Sequence, residues 1–368
     1  MKEELSKKER VERTLNLQPV DRVAIHDQVS FNPDVISLYT GKKIDGFNYR
    51  LKDICEVIRK TLDMCFPPCE PRGTERWVDE YGAVHQDDYW TSWVVKPPDI
   101  DEKRLKEIFL KEMERMEKER LDKDRERKEY RRWITDIQRM IGDDTVICAY
   151  PVNIGICGCW NYGLIEPFTY LYYSEPNVVS EYLALKTERA IEKVDAIADR
   201  TLSPVVLIAD DLASKTGPVF SPAFLRKEYF PHLTKLISRW KSYGLKVLYH
   251  SDGKYKILID DFIKCGVDGF YCLEPAAGMD IIQLKKEYPG MIWAGGLDGV
   301  DLMERGIPED IRREVRRQIE ETDALNRGGV FLGTSSEVNP MIKAENFRAM
   351  IETARSIHNR DFIKKEDG

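Results

Sequence analysis

No stretch of about 18 consecutive apolar residues occurs in this sequence, and that is the length a membrane-spanning helix needs, so a soluble chain is expected. The opening segment, MKEELSKKERVERTLN, is charged and amphipathic and lacks the apolar centre of a secretion signal, which predicts a cytoplasmic protein. Charge of one sign is also lacking. With 57 basic against 64 acidic residues the net charge is −7, which disfavours nucleic acid and anionic membrane surfaces as partners. Eight cysteines scattered over 368 residues do not form a disulfide framework and read as reduced thiols, in keeping with a cytoplasmic address. Finally, no Gly-x-Gly-x-x-Gly follows the first apolar run, which argues against a dinucleotide-binding sheet.

What is present suffices for one large core: 42% of the residues are hydrophobic and 10% aromatic. The first 20 residues read as a short helix, and Arg22-Val-Ala-Ile-His26, following the turn at Pro19, reads as a first strand. Residues 32 to 98 read as irregular, with Pro67, Pro68, Pro71 and Gly73, and their second half as a β-hairpin laid over a barrel mouth. Residues 101–132 carry a dense run of both charge signs. Their apolar residues are too sparse for a buried face, so one or two solvated helices laced with i,i+4 ion pairs are expected, with a protein-docking surface as the rarer use.

Beyond this insertion, short apolar runs alternate with segments of helical period. The runs are 145–150, 204–209, 245–249, 269–273, 291–294 and 330–332; amphipathic stretches such as 222–243, 254–265 and 308–326 lie between them. Repeated strand–helix units whose strands are apolar on both faces predict a parallel sheet. Polar residues of interest sit past almost every strand instead of at one switch point. This pattern predicts an α/β fold of the (β/α)8 barrel type, a single domain over 1–368 with an N-terminal extension and the charged helical insertion.

In such a barrel the residues that follow a strand face the mouth. These are His26 and Asp27; Asp210 and Asp211; His250, Ser251 and Asp252; Glu274; Asp298; and Thr334, Ser335, Ser336 and Glu337. The sharpest group is His250-Ser-Asp252-Gly, because residues i and i+2 leaving a strand converge on one ion when the backbone turns at glycine. Glu274 offers a third ligand. One His with two carboxylates and an open position suits zinc, Fe(II) or Mn(II). The competing reading is that His250 and Asp252 bond each other and cap the next helix. Cys157-Gly-Cys159 is a weak zinc signal without a second pair, and Cys65, Cys69, Cys265 and Cys272 read as incidental or as small hydrophobes. Trp90, Trp93, Trp160, Tyr162, Phe168 and Tyr170 offer a flat apolar wall for a substrate, although packing is the commoner use of each.

Several segments resemble the uroporphyrinogen-decarboxylase-like superfamily along nearly the whole chain. They are Arg10-Val-Glu-Arg-Thr-Leu-Asn-Leu-Gln-Pro-Val-Asp-Arg-Val, Trp77-Val-Asp-Glu-Tyr-Gly, Ser221-Pro-Ala-Phe, His250-Ser-Asp-Gly, Gly266-Val-Asp-Gly-Phe, Gly295-Gly-Leu-Asp298, Gly306-Ile-Pro-Glu-Asp and Glu345-Asn-Phe-Arg-Ala-Met-Ile. The decarboxylases proper hold substrate carboxylates with paired arginines in an Arg-Gln-Ala-Gly-Arg segment; here the corresponding region reads His26-Asp-Gln-Val-Ser-Phe-Asn. The corrinoid-dependent methyltransferases of the superfamily bind zinc through His-x-Cys, a Glu after the next strand and a Cys near the last. This chain matches at His250 and Glu274 but carries Asp252 and Thr334-Ser-Ser-Glu337 at the other two places.

The His-Ser-Asp-Gly form is similar to the O-demethylase components, which pass the methyl group of an aromatic methyl ether to the Co(I) of a separate corrinoid protein. The resemblance implies zinc on His250, Asp252 and Glu274, with Asp210, Asp211 or Glu337 in catalysis. It implies a substrate surface including His26, Tyr150, Trp160, Tyr162 and Ser335, a corrinoid carried by the partner protein, and a methoxylated aromatic compound as methyl donor; a homodimer is compatible with it. Oxygen and nitrogen ligands leave a harder Lewis acid than thiolates do, which suits an ether oxygen. The alternatives are methyl transfer from a corrinoid protein to a thiol or tetrahydropterin, and a metal-free decarboxylase-like or binding barrel.

Overall fold

The computed structural model describes residues 5–363. At its centre are eight parallel strands: β1 (Ala24–Asp27), β2 (Met64–Cys65), β3 (Val146–Ile147), β4 (Val205–Ala209), β5 (Lys246–His250), β6 (Gly269–Phe270), β7 (Ile292–Leu297) and β8 (Val330–Thr334). They pair in chain order. β1 returns to β8, with Ala24 opposite Phe331, and Ala149 just beyond β3 bridges Val206 of β4. The sheet thus closes on itself as the (β/α)8 barrel that the alternation predicts.

Side chains along each strand alternate between two apolar environments, which is why the strands read as unbroken hydrophobic runs. Ala24, Met64, Val146, Leu207, Leu248, Ala294 and Phe331 fill the barrel interior. Their neighbours Ile25, Ile147, Ile208, Val247, Phe270, Trp293 and Leu332 pack against the surrounding helices.

The helix Lys7–Leu15 begins at a Ser6–Glu9 capping box and sends Val11 and Leu15 into the interior cluster, so it plugs the end opposite the mouth. A buried charge cluster ties that plug down. Arg10 bonds Asp21 at 2.7 Å and Asp63 at 2.8 Å, and Asp63 also takes the Arg22 guanidinium at 2.7 Å and the Ile25 amide at 2.8 Å.

The structure corrects the sequence reading in two places. Residues 32–65 are not irregular: they form helices Pro33–Thr40 and Leu51–Thr61 and the two-residue strand β2. The charge-rich run is two helices, Glu102–Lys118 and Lys123–Ile141, and both have buried faces. Leu105, Ile108 and Phe109 are buried on the first, and Tyr130, Ile134, Ile137 and Ile141 on the second, at the three-to-four spacing of a helix stripe. Sparse apolar residues suffice because Phe109 is large and lies flat on Tyr182 of helix Pro176–Ile197, with ring centroids 3.9 Å apart. Charges reach across to that helix instead of along their own: Lys123 to Asp195 at 2.8 Å, and Glu126 to Lys193.

Between β2 and helix Lys123–Ile141 the chain also forms a three-stranded antiparallel sheet, Glu75–Val78, Val84–Asp87 and Ser92–Lys96. As part of a strand-to-helix connection, it belongs to the rim of the mouth. No helix among the described residues is long and apolar enough to cross a membrane.

Candidate metal site at the barrel mouth

β5 ends in His250, and the turn after it depends on Gly253, which has φ +77. A Cβ at Gly253 would stand 2.5 Å from the Ser214 carbonyl oxygen, so only glycine lets this turn approach the β4 loop. Three further bonds fix the turn. Ser251 Oγ accepts from the Leu212 amide at 3.1 Å, Asp211 Oδ1 accepts from the Asp252 amide at 3.2 Å, and Glu274 Oε2 accepts from the Gly253 amide at 2.7 Å.

The register of β6 on β5 sets what faces this turn. Leu248 lies opposite Gly269 and Tyr249 opposite Phe270, so Tyr271 comes level with His250, with ring centroids 5.5 Å apart, and Cys272 follows. Cys272 Sγ lies 3.3 Å from Asp252 Oδ1, which is itself 3.9 Å from His250 Nε2. Ligand atoms of His250, Asp252 and Cys272 all lie within 4.8 Å of one another. Donors held tetrahedrally about 2.0–2.3 Å from one ion stand about 3.5 Å apart. The Cys272–Asp252 and Asp252–His250 separations bracket that value, so the group can close on a single cation through side-chain rotation.

Asp211 Oδ1 stands 3.6 Å from His250 Nε2, so a fourth oxygen borders the group. Without a cation, burial drives the Cys272 thiol well above its usual range, and the nearby Asp252 and Glu274 carboxylates add to the effect. Burial also pushes Glu274 up, with Asp252 contributing. A divalent ion would reverse that logic and favour the thiolate.

The remaining predicted residues divide by position. Asp210 is fully enclosed and accepts from the Gly155 amide at 3.1 Å, the Cys157 amide at 3.4 Å and the Tyr229 hydroxyl at 3.0 Å. It anchors the loop after β3 to the end of β4, while Asp211 faces His250. Tyr229 lies in a π-helical turn, Leu225–Tyr229, a local irregularity of a kind often found beside functional sites. Glu337 accepts from Ser336 Oγ at 2.6 Å, and Ser335 Oγ accepts from the Gly299 amide at 3.0 Å while its carbonyl takes the Cys272 thiol.

His26 is fully buried beneath the mouth, edge-on to Tyr271 at 5.0 Å, and desolvation lowers its pKa to about 4. Its Nδ1 is 3.2 Å from the Met64 carbonyl, and its Nε2 has no hydrogen-bond partner among the described residues. Tyr150 leans on Trp133, 5.9 Å away, on helix Lys123–Ile141. Trp160 and Tyr162 are partly exposed on the loop after β3, and Tyr162 meets His85 edge-on at 5.5 Å.

Sequence reasoning missed Cys272. It treated 269–273 as one strand, whereas β6 stops at Phe270. With the strand ended there, Cys272 takes the second place after it, as Asp252 does after His250.

The class is that of a closed parallel barrel with polar side chains, His250, Asp252 and Cys272 among them, gathered at its mouth. The chain belongs to the uroporphyrinogen decarboxylase (URO-D) family, whose model matches residues 164–357, more than half of the chain. Among solved structures, a methyltransferase from Methanosarcina mazei is 18% identical and superposes with a TM-score of 0.66, covering 96% of this chain and 99% of its own; at that identity it establishes the shared fold. A B12-independent methionine synthase from Shewanella sp. W3-18-1 aligns at 12% identity with a TM-score of 0.39 over 91% of this chain and 98% of its own, too low to carry an argument. No curated protein matches the chain.

Proposed function

We propose that this protein is a metal-dependent methyltransferase that takes the methyl group of a methoxylated aromatic compound and passes it to the Co(I) of a separate corrinoid protein. The observation that carries the reading is the His250, Asp252 and Cys272 donor group, assembled at the mouth of a barrel. One nitrogen, one oxygen and one sulfur ligand suit zinc better than they suit magnesium or calcium. When bound, such an ion supplies Lewis acidity toward an ether oxygen.

The chain's own residues do the rest. Asp211 and Glu274 hold the turn that aims Asp252, through the Asp252 and Gly253 amides. Glu274 accepts the Gly253 amide through Oε2, which fixes its carboxyl group beside Asp252 as a proton donor for a departing phenolate. The family's decarboxylating reaction is disfavoured by the same mouth. No arginine occupies residues 26–32, burial keeps His26 neutral, and Asp211 and Glu337 would repel a substrate ringed with carboxylates.

Cys272 also favours a second reading. A sulfur donor softens the centre relative to the His, Asp and Glu set expected from sequence, so ligand hardness alone no longer separates an ether from a thiol as methyl donor or acceptor. A direct assay separates them. Purified protein with a Co(I) corrinoid protein and a panel of methoxybenzoates should convert the Co(I) absorption spectrum to that of methyl-Co(III). If methoxyarenes leave the spectrum unchanged while methyl thiols convert it, the thiol reading replaces the ether one.

A further inference from the structure

A cavity of about 700 Å³ is lined by Gly155, Gly158, Cys159 and Tyr162 of the loop after β3 and by none of the residues of the donor group, and its size falls in the range of small-molecule sites. Its walls are flat and aromatic. Trp77 and His85 stack with ring centroids 4.2 Å apart, Tyr162 stands edge-on to His85, and Phe109 stacks on Tyr182.

Three acids line the cavity; Glu80 is exposed to solvent, and the other two are engaged by hydrogen bonds. Glu112 accepts from the hydroxyls of Tyr81 and Tyr182, and Asp79 accepts from His85 Nε2 at 2.9 Å and from the amides of Tyr81 and Ala83. Lys186 is different. Its half-buried ammonium touches the Gly155 carbonyl at 3.4 Å and the face of Tyr182 at 5.4 Å, and no carboxylate among the described residues comes within ion-pair distance. A lone cation at the edge of flat apolar walls is complementary to a ring bearing a negative group.

We infer that this cavity binds an aromatic carboxylate, with the ring among Trp77, His85 and Tyr162 and the carboxylate on Lys186. The inference rests on the reading of the methyl donor as a methoxylated aromatic and assigns a site beside the mouth that collects this aromatic acid before it reaches the metal site. The cavity also adjoins the mouth: the Gly155 and Cys157 amides, on the loop dividing the two, hold Asp210.

Calorimetric titration of the full-length protein with 4-methoxybenzoate, benzoate and uncharged methoxybenzene tests this without any corrinoid protein. Both benzoates should bind, and methoxybenzene should bind at least about tenfold more weakly, since a hydrogen bond to a charged group is worth about 1.5–3 kcal/mol. Lys186→Met should weaken both benzoates by about the same factor and leave methoxybenzene unchanged. Lys186→Arg should largely restore them, and Tyr162→Ala should weaken all three.

Benzoate affinity that is indifferent to Lys186 and Tyr162 but lost in His250→Ala would place the ligand at the barrel mouth and overturn the inference, as would no binding of any benzoate. Benzoate binding that depends on Lys186, found beside an absence of methyl transfer, would sustain the cavity while removing the proposed reaction.

Discussion

Asp27 shows how a single residue at the mouth constrains the whole fold. Its carboxyl group is sealed between β1 and β8, where it accepts from the Thr334 amide at 3.0 Å, the Thr334 hydroxyl at 2.8 Å and the Gln28 amide at 2.9 Å. Burial outweighs these bonds and raises its pKa to about 7. The folded chain therefore keeps a proton that the unfolded chain releases near pH 4, and this group's contribution to stability falls as pH rises from about 4 to 7, by roughly 4 kcal/mol in all. Asp27→Asn should make the decline in urea midpoint between pH 5 and pH 8 visibly shallower; an unchanged decline would mean that Asp27 is ionised throughout. The sequence made Asp27 visible as a strand-end acid but not its enclosure, which comes from Thr334, 307 residues away. The same limit hid Cys272, whose role depends on where a two-residue strand stops.

Among the elements, those with strong period were legible and those shaped by distant partners were not. Strands β4, β5 and β8 read clearly because each runs five residues with both faces buried. β2 did not, because two residues carry no period; pairing with β1 and β3 defines it. Its predecessor Asp63 joins this strand to the plugging helix through Arg10. Burial alone would raise Asp63, yet the Arg22 and Arg10 guanidinium groups hold it below the usual carboxylate range. Its stabilising share is thus fully present above about pH 4 and is lost as pH falls through the lower folded value. Asp63→Asn removes the carboxylate that both guanidinium groups share and should cost about 3–5 kcal/mol in urea unfolding at pH 7. It should also weaken the loss of stability on acidification below pH 4. A cost under about 1 kcal/mol would show that the plug is held by Val11 and Leu15 instead.

At the scale of the molecule, alternation of apolar runs and amphipathic stretches was enough to predict the barrel; strand-end placement pointed to His250 and Asp252 but named Glu274 as their third partner, where the structure brings Cys272. The aromatic cavity was legible only at Tyr162 and Phe168, since its other walls come from the antiparallel rim sheet, helix Glu102–Lys118 and helix Pro176–Ile197, which sequence spacing does not bring together. The methyltransferase proposed for this chain requires one cation at the barrel mouth, held in part by Cys272. Elemental analysis of protein purified without chelators, followed by replacement of the ion with Co(II), measures this most directly. Wild type should hold about one divalent ion per chain and, with Co(II), show a sulfur-to-cobalt charge-transfer band; Cys272→Ser should lose the band, and His250→Ala should lose most of the ion. An equal ion content in wild type and His250→Ala, or a Co(II) spectrum unchanged by Cys272→Ser, would contradict the site.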